Sequence, residues 1–271
     1  MEASLLLRVP WAHKMELDAA AAALDAGQYT LDEIRKYEAV YGQNFVSPGG
    51  AGTARQIFSL LQWAPGMQVL DVGCGLGGAA LLMAQLYGAK VHGIDLSRNM
   101  LAQAAVRSAQ AGLAHAVSWE HADILDYQPQ QPSDVVHSRD VFLHIHRKPQ
   151  LLAALMRCLR PGGSLLFSDY LCGPAPHSAE FTDYIRSRNY HLCTLAGYCA
   201  LLQSAGFEVL VAEDRTAAFV EILERELAGM QSAALSETER RALAHSWQRK
   251  IERAQAGEQR WGVFCARRAP G

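Results

Sequence analysis

The chain has 271 residues, half of them apolar, with 25 basic and 27 acidic side chains and a formal net charge of −2. That length and composition suffice for a full α/β core with a small helical addition, as one domain or one and a half. The charge balance argues against a nucleic-acid surface, and no apolar run reaches the length of a membrane span.

In chain order, residues 1–26 read as an N-terminal extension. Leu5, Leu6 and Leu7 lack the basic lead and apolar length of a secretory signal. The alanine-rich segment 17–24 is helical in pattern but has little to bury, so the first part of the extension is expected to be disordered. Thr30 with Glu33 forms a capping box for a helix through Tyr41, which Gly42 stops. Asn44-Phe45-Val46-Ser47-Pro48-Gly49-Gly50 is a loop of turn residues, placed where a lid (27–52) could cover a ligand. A helix over 53–62 and the Pro65-Gly66 turn lead into Val69-Leu70-Asp71-Val72-Gly73-Cys74-Gly75-Leu76-Gly77-Gly78, a buried strand breaking into glycines. Helices over 79–87, 98–111 and 151–159 then alternate with strands over 90–94, 117–120, 134–137 and 164–168. An insertion over 173–193, dense in Tyr and Arg, precedes a helix over 194–205. A strand over 208–212, helices over 217–230 and 237–254 and a strand over 260–266 follow. The plan is an α/β, Rossmann-like sheet of seven mostly parallel strands, with 27–271 as one domain. One glycine loop and no internal repeat imply one active site. The six cysteines (Cys74, Cys158, Cys172, Cys193, Cys199, Cys265) show no paired zinc spacing and read as reduced, mostly structural thiols in a cytoplasmic protein.

The glycine loop is a cofactor loop, and Asp71 bears on which cofactor. A dinucleotide loop presents N–H groups to a pyrophosphate, where a carboxylate just before the glycines would be unwelcome. An aspartate there suits a ligand with a positive end, such as the amino-acid part of S-adenosylmethionine. Asp95, at the end of the second strand, can accept from both ribose hydroxyls. Asp123, after the third strand, suits either an adenine amine or a helix or turn cap, and its place alongside Asp71 and Asp95 favours the cofactor. These acids point to a methyltransferase.

After the fourth strand comes Ser138-Arg139-Asp140-Val141-Phe142-Leu143-His144-Ile145-His146. An amine nucleophile must lose its proton before it attacks, and His144 is the candidate base. Asp140, four residues earlier, would share a helical face with it, orienting the imidazole or holding a substrate cation. His146 reads as structural, and no third ligand completes a metal site. Tyr170, Tyr184, Arg186, Arg188, Tyr190 and Lys250 form a looser set. They suit a phosphate or a methylated ammonium, or else an exposed basic helix with aromatic packing. Trp247 and Trp261 read as core.

The run Tyr37-Glu38-Ala39-Val40-Tyr41-Gly42-Gln43-Asn44-Phe45-Val46-Ser47-Pro48-Gly49-Gly50 resembles the signature ahead of the cofactor loop in phosphoethanolamine N-methyltransferases of plants, nematodes and malaria parasites. Ser138-Arg139-Asp140 with His144, Ser168-Asp169-Tyr170, Ala212-Glu213-Asp214-Arg215-Thr216 and Ala256-Gly257-Glu258-Gln259-Arg260-Trp261-Gly262 are similar to the same family in the same order, from about Gln28 to Arg267. The resemblance implies the class I methyltransferase fold, S-adenosylmethionine as methyl donor, S-adenosylhomocysteine as its product, and a phosphobase on the path to phosphocholine as acceptor. It implies Tyr29 and His144 as the catalytic pair and Asp140 on the substrate amine. Val46, Ser47, Asp71, Gly73, Gly75, Asp95, Leu96, Asp123, Ile124 and Arg139 would hold the cofactor. Gln28, Tyr37, Tyr170, Tyr184, Arg188, Tyr190 and Lys250 would hold the phosphobase, the last five around or near its phosphate. Plant relatives carry two units in tandem, so one unit is closer to the parasite arrangement, and a monomer is expected. The number of methylations stays open. The rival readings are a methyltransferase for another small amine, of the glycine or sarcosine type, and a non-catalytic S-adenosylmethionine-binding module.

Overall fold

The structure, a computed structural model, describes residues 10–270. Three helices lead in: α1 (Pro10–Ala26), α2 (Leu31–Tyr41) and α3 (Gly50–Phe58). The alternating part follows as β1 (Gln68–Val72), α4 (Gly78–Tyr87), β2 (Lys90–Asp95), α5 (Arg98–Gln110), β3 (Val117–His121), β4 (Ser133–Arg139), α6 (Lys148–Cys158) and β5 (Leu159–Cys172). The rest comprises α7 (Ala179–Ser187), α8 (Leu195–Ser204), β6 (Phe207–Asp214), α9 (Thr216–Gly229), α10 (Glu237–Gln255) and β7 (Gln259–Arg268).

The seven strands form one sheet in the order β3-β2-β1-β4-β5-β7-β6. The first five run parallel, and β7 runs antiparallel to both β5 and β6. The apolar strand residues face helices on both sides. Ile57, Phe58, Met83 and Trp261 pack on one face, and Leu151, Leu155, Phe167, Tyr198 and Phe264 on the other. From β1 the chain steps outward to β2 and β3, then returns to place β4 on the other side of β1. That reversal splays the connections at the carboxyl ends of β1 and β4 and opens a crevice there.

Several boundaries differ from the sequence reading, each for a visible reason. Helix α3 stops at Phe58 rather than 62 because the Trp63 indole N–H takes the Phe58 carbonyl (2.8 Å), leaving no room for another turn. Strand β5 continues to Cys172 because its pairing with β7 persists through Cys172↔Gln259. Within the 173–193 insertion, Ser178 caps α7, and the Glu258 carboxylate accepts from the Ser178 hydroxyl (2.9 Å). At Thr30 only the forward half of the expected capping box forms: Thr30 accepts from the Glu33 N–H (3.2 Å), while the Glu33 carboxylate pairs with Lys36 instead.

The extension is helical from Pro10 to Ala26, and the disorder expected for its start falls partly on residues 1–9, outside the described ones. Asp25 ties this helix to the N-terminus of α5, accepting from the Ser97 hydroxyl and from the N–H groups of Arg98 and Asn99. All six cysteines are free, with Cys74, Cys158 and Cys265 buried. Among the described residues no helix is long and apolar enough to cross a membrane.

In the glycine loop the space for a side chain differs from one glycine to the next. A Cβ at Gly73, where φ is +67°, would meet Val141 Cγ2 at 2.4 Å, whereas one at Gly75, at φ +53°, would meet only Val46 Cγ2 at 3.5 Å. Gly75→Ala is therefore expected to cost about 1 kcal/mol in denaturant unfolding and Gly73→Ala about 2–4 kcal/mol. Equal costs would show that Val141 moves aside freely.

Candidate active site

A cavity of about 610 Å³ lies in the crevice over β1, β2 and β4. Its floor at one end is the glycine loop, held down by N–H bonds from Gly73 (2.8 Å) and Cys74 (3.1 Å) to the Ile94 carbonyl at the end of β2. Asp95 follows directly. Its carboxylate accepts from the Gly75 N–H (2.8 Å) and the Ser97 N–H (2.8 Å), and burial pushes it up to about 6 against those bonds. Leu96, Met100 and Ile124 form an apolar slot beyond it, closed by Asp123, whose Oδ1 accepts from the Leu125 N–H (2.9 Å). Asp71 is not part of the cavity lining: it is buried behind the loop, with Oδ1 against His137 Nδ1 (2.7 Å) on β4 and Oδ2 without a partner among the described residues.

The roof comes from the lid segment. Arg139, at the end of β4, is buried and donates to the carbonyls of Pro48 (2.8 Å) and Gly50 (3.0 Å), with its guanidinium 5.9 Å from the Phe45 ring centre. From the other side the Glu226 carboxylate accepts from the Gly49 N–H (2.7 Å) and the Trp247 indole N–H (2.9 Å). The loop thus brings Val46 and Ser47 over Gly75, with Arg139 as its anchor as well as a wall of the cavity. A second piece of roof is the corner between α1 and α2. The Asn99 amide donates to the Tyr29 carbonyl (2.9 Å), and Gln28 donates to the Tyr29 hydroxyl (3.1 Å). Burial first, then the Asp95 charge, raises the Tyr29 phenol, which stays protonated at neutral pH.

Between slot and roof stands Asp140, in a left-handed conformation (φ +55°). Both donors that reach it use one oxygen: Ser168 Oγ (2.9 Å) and Trp261 Nε1 (2.8 Å) bind Oδ1, and the buried Oδ2 has no partner. His144 ends a single 3₁₀ turn, Phe142–His144. The expected helical face shared by Asp140 and His144 therefore does not exist: Asp140 precedes the turn in a conformation no helix adopts, and its carboxylate is committed to β5 and β7. The His144 imidazole opens onto the cavity, edge-on to Tyr190 with ring centres 5.2 Å apart. The enclosing walls, then the Lys148 and His191 charges, hold it down to about 4, so it is neutral at pH 7.

The far end of the cavity is cationic and aromatic. Lys250 is buried, with its ammonium 4.6 Å from the Trp247 ring centre and 5.8 Å from that of Tyr170. Burial lowers it to about 8, opposed by Glu226. Arg188 reaches the same end from the insertion, beside Tyr37, Tyr184 and Tyr190. Neither cation makes an ion pair with a described residue. Apart from Asp71, every predicted site residue lines this one cavity; Arg186, from the looser set, instead pairs with Asp183. Tyr41 and Trp247, which the sequence reading left out, line it too. Trp247 stands three residues before Lys250 on α10, a spacing that could have linked them. His146, read as structural, lies at the rim with its ring 4.8 Å from that of His191.

A family model described as a methyltransferase domain matches residues 69–163. The phosphoethanolamine N-methyltransferase of Triticum aestivum is 43% identical over 248 residues, 89% of this chain and 49% of that protein. The phosphoethanolamine N-methyltransferase of Plasmodium falciparum is 31% identical over 260 residues, 92% of this chain and 97% of that protein. The chain belongs to the phosphoethanolamine N-methyltransferase family. A solved structure of the Haemonchus contortus member, phosphoethanolamine N-methyltransferase 2 in complex with phosphomonomethylethanolamine and S-adenosylhomocysteine, matches with a TM-score of 0.87 at 32% identity, over 92% of this chain and 60% of that one. The seven-stranded sheet is accordingly the class I methyltransferase fold of this family. The chain spans about half the length of the plant family members it matches.

One buried acid of this family member offers a pH test. Asp169 accepts from the Leu143 N–H (3.0 Å) and the Tyr198 hydroxyl (3.0 Å), and burial pushes it up to about 7, with Lys148 acting against the shift. A folded-state pKa above the ordinary carboxylate value means that the protonated form stabilises the fold and that this contribution is lost as pH rises through 7. Relative to the native protein, Asp169→Asn is therefore expected to gain about 2–4 kcal/mol between pH 4 and pH 8, measured by urea unfolding. A constant difference across that range would show that Asp169 keeps an ordinary pKa.

Proposed function

We propose that this protein transfers a methyl group from S-adenosylmethionine to the nitrogen of phosphoethanolamine or of its mono- and dimethyl forms. The observation that carries the reading is the charge layout of one cavity: an Asp140 carboxylate oxygen with no hydrogen bond to a described residue, and two cations among tyrosine hydroxyls, Arg188 and Lys250, with no ion pair to a described residue. A phosphobase carries the complementary pair, an ammonium and a phosphate, a short chain apart. The other end fits the donor. Asp95 retains acceptor capacity toward the cavity for a diol, Asp123 stands beside the apolar Leu96, Met100 and Ile124 that would flank a purine, and a side chain at Gly73 would have no space. Val46, Ser47, Gly75, Leu96 and Ile124 complete that end.

S-adenosylmethionine supplies an electrophilic methyl carbon on a sulfonium. The residues of this chain do the rest. Asp140 Oδ2 accepts an N–H of the substrate and orients its nitrogen. The neutral His144 imidazole takes the proton the amine must shed, and the protonated Tyr29 hydroxyl closes the roof beside it. Arg188, Lys250 and the tyrosine hydroxyls fix the phosphate, so that binding energy far from the nitrogen positions it. A substrate of the glycine or sarcosine type carries a single carboxylate and would leave part of this cationic end unmet. We further take the protein to act as a cytoplasmic monomer. Mass spectrometry of products from phosphoethanolamine, its mono- and dimethyl forms and free ethanolamine, each offered separately, tests the reading. Methylation of free ethanolamine in preference to all three phosphobases would overturn it.

A further inference from the structure

His144 makes no hydrogen bond through its imidazole to any described residue, so nothing of the carboxylate–histidine kind orients the ring. What fixes it is the backbone beneath. The buried Lys148 ammonium donates to the carbonyls of Phe142 (2.6 Å) and Ile145 (2.9 Å), on either side of His144. Asp169 Oδ1 accepts from the Leu143 N–H (3.0 Å), and the Leu143 carbonyl accepts from the His191 N–H (2.7 Å). A 3₁₀ turn of three residues has poor internal hydrogen bonding of its own, so such external bonds decide where it sits. Neither Lys148 nor Asp169 lines the cavity. Lys148 is buried without an ion pair among the described residues, its ammonium 5.9 Å from the Tyr198 ring centre, an expensive arrangement for a residue that only fills space.

We propose that Lys148 and Asp169 are the positioning pair for His144, the ammonium gripping the carbonyls around it and the carboxyl gripping the N–H before it, so that the ring stands at the amine with its nitrogens free. The inference rests on the reading of His144 as the base. Lys148 also sets the electrostatics of that base. The charged or titratable groups around the imidazole are Lys148 from α6, His191 after the insertion helix, the neutral phenols Tyr190 and Tyr29, and Asp140, whose Oδ1 is held by Ser168 and Trp261. A positive charge beneath the ring keeps the proton off until the amine delivers it.

The test follows the imidazole itself, by NMR titration of carbon-13-labelled histidine in the folded protein, with His144→Asn identifying the resonance. This readout does not depend on which amine is methylated. Lys148→Gln keeps donors for the two carbonyls and removes the charge. It is expected to move the His144 titration upward by ~0.5 unit or more, while Lys148→Arg leaves it low. Asp169→Asn mimics the protonated carboxyl already present where His144 titrates. It is expected to leave the titration in place, whereas Asp169→Leu, which removes the acceptor for the Leu143 N–H, is expected to lower kcat several-fold with KM for the methyl donor unchanged. An unmoved titration in Lys148→Gln, or equal upward shifts in Lys148→Gln and Asp169→Asn, would overturn the proposal, since mere loosening of the turn hydrates the ring in both. Should Lys148→Gln fail to fold, Asp169→Leu decides alone: undiminished kcat overturns it. Loss of the base reading would appear separately, as full turnover in His144→Ala.

Discussion

His144→Ala is expected to lower kcat by about 10²–10⁴-fold while donor binding, measured by calorimetry, stays unchanged. The imidazole lines the same cavity as Asp95 and Asp123, whose carboxylates are held by the N–H groups of Gly75, Ser97 and Leu125 and not by His144. With its pKa held near 4 by burial and by Lys148, the ring of the ligand-free protein is neutral throughout the physiological range. It can accept a proton at any pH at which the enzyme would work. A phosphate dianion entering the same cavity acts in the opposite direction, raising the imidazole toward the operating pH when a proton has to be taken. The sign follows directly. The acid limb that this imidazole sets in kcat/KM, which reports the free enzyme, should fall below the ordinary histidine range, and the limb in kcat, which reports the substrate complex, should lie above that of kcat/KM. Undiminished turnover of the alanine variant at neutral pH would remove His144 from the chemistry.

At the other end, Lys250→Ala should raise KM for the phosphobase by about 10–100-fold, and Arg188→Ala by about 5–30-fold, each leaving KM for the methyl donor unmoved. Lys250 is given the larger effect because it is buried among aromatic rings, whereas Arg188 is exposed and water can partly replace it. The double variant should lose less than the product of the two, since both cations would grip one phosphate. Weak turnover of free ethanolamine, if measurable, should not respond to either change. Equal losses for phosphobase and donor would dissolve the phosphate subsite.

What was legible in the sequence, and what was not, follows from the range of the interactions. Strands, helices and the acids at strand ends carry their signal within a few residues, so the alternation of elements and the position of Asp95 and Asp123 at or just after their strand ends could be read directly. The partner of Asp71 was not legible, because it is His137, 66 positions away on the neighbouring strand. Trp261 looked like core and is indeed buried, yet its N–H serves Asp140, 121 positions earlier, through the pairing of Tyr170 with Trp261 across β5 and β7. Asp140 and His144 were spaced for a helix that the left-handed Asp140 backbone forbids. The resemblance supplied Tyr29 and settled on a phosphate for the looser set that held Arg188 and Lys250, residues from distant parts of the chain that spacing alone would not have joined to Tyr29.

The two donors on Asp140 Oδ1 leave Oδ2 as a lone acceptor, with a consequence for how the site lets go. Primary, secondary and tertiary ammonium groups all have a hydrogen to offer that oxygen. A quaternary one has none, and the same buried oxygen is again without a partner, at a cost of about 1–3 kcal/mol. On the proposed reading, a pocket so arranged would count hydrogens rather than methyl groups, keeping hold of amines that can still be methylated and releasing the one that cannot.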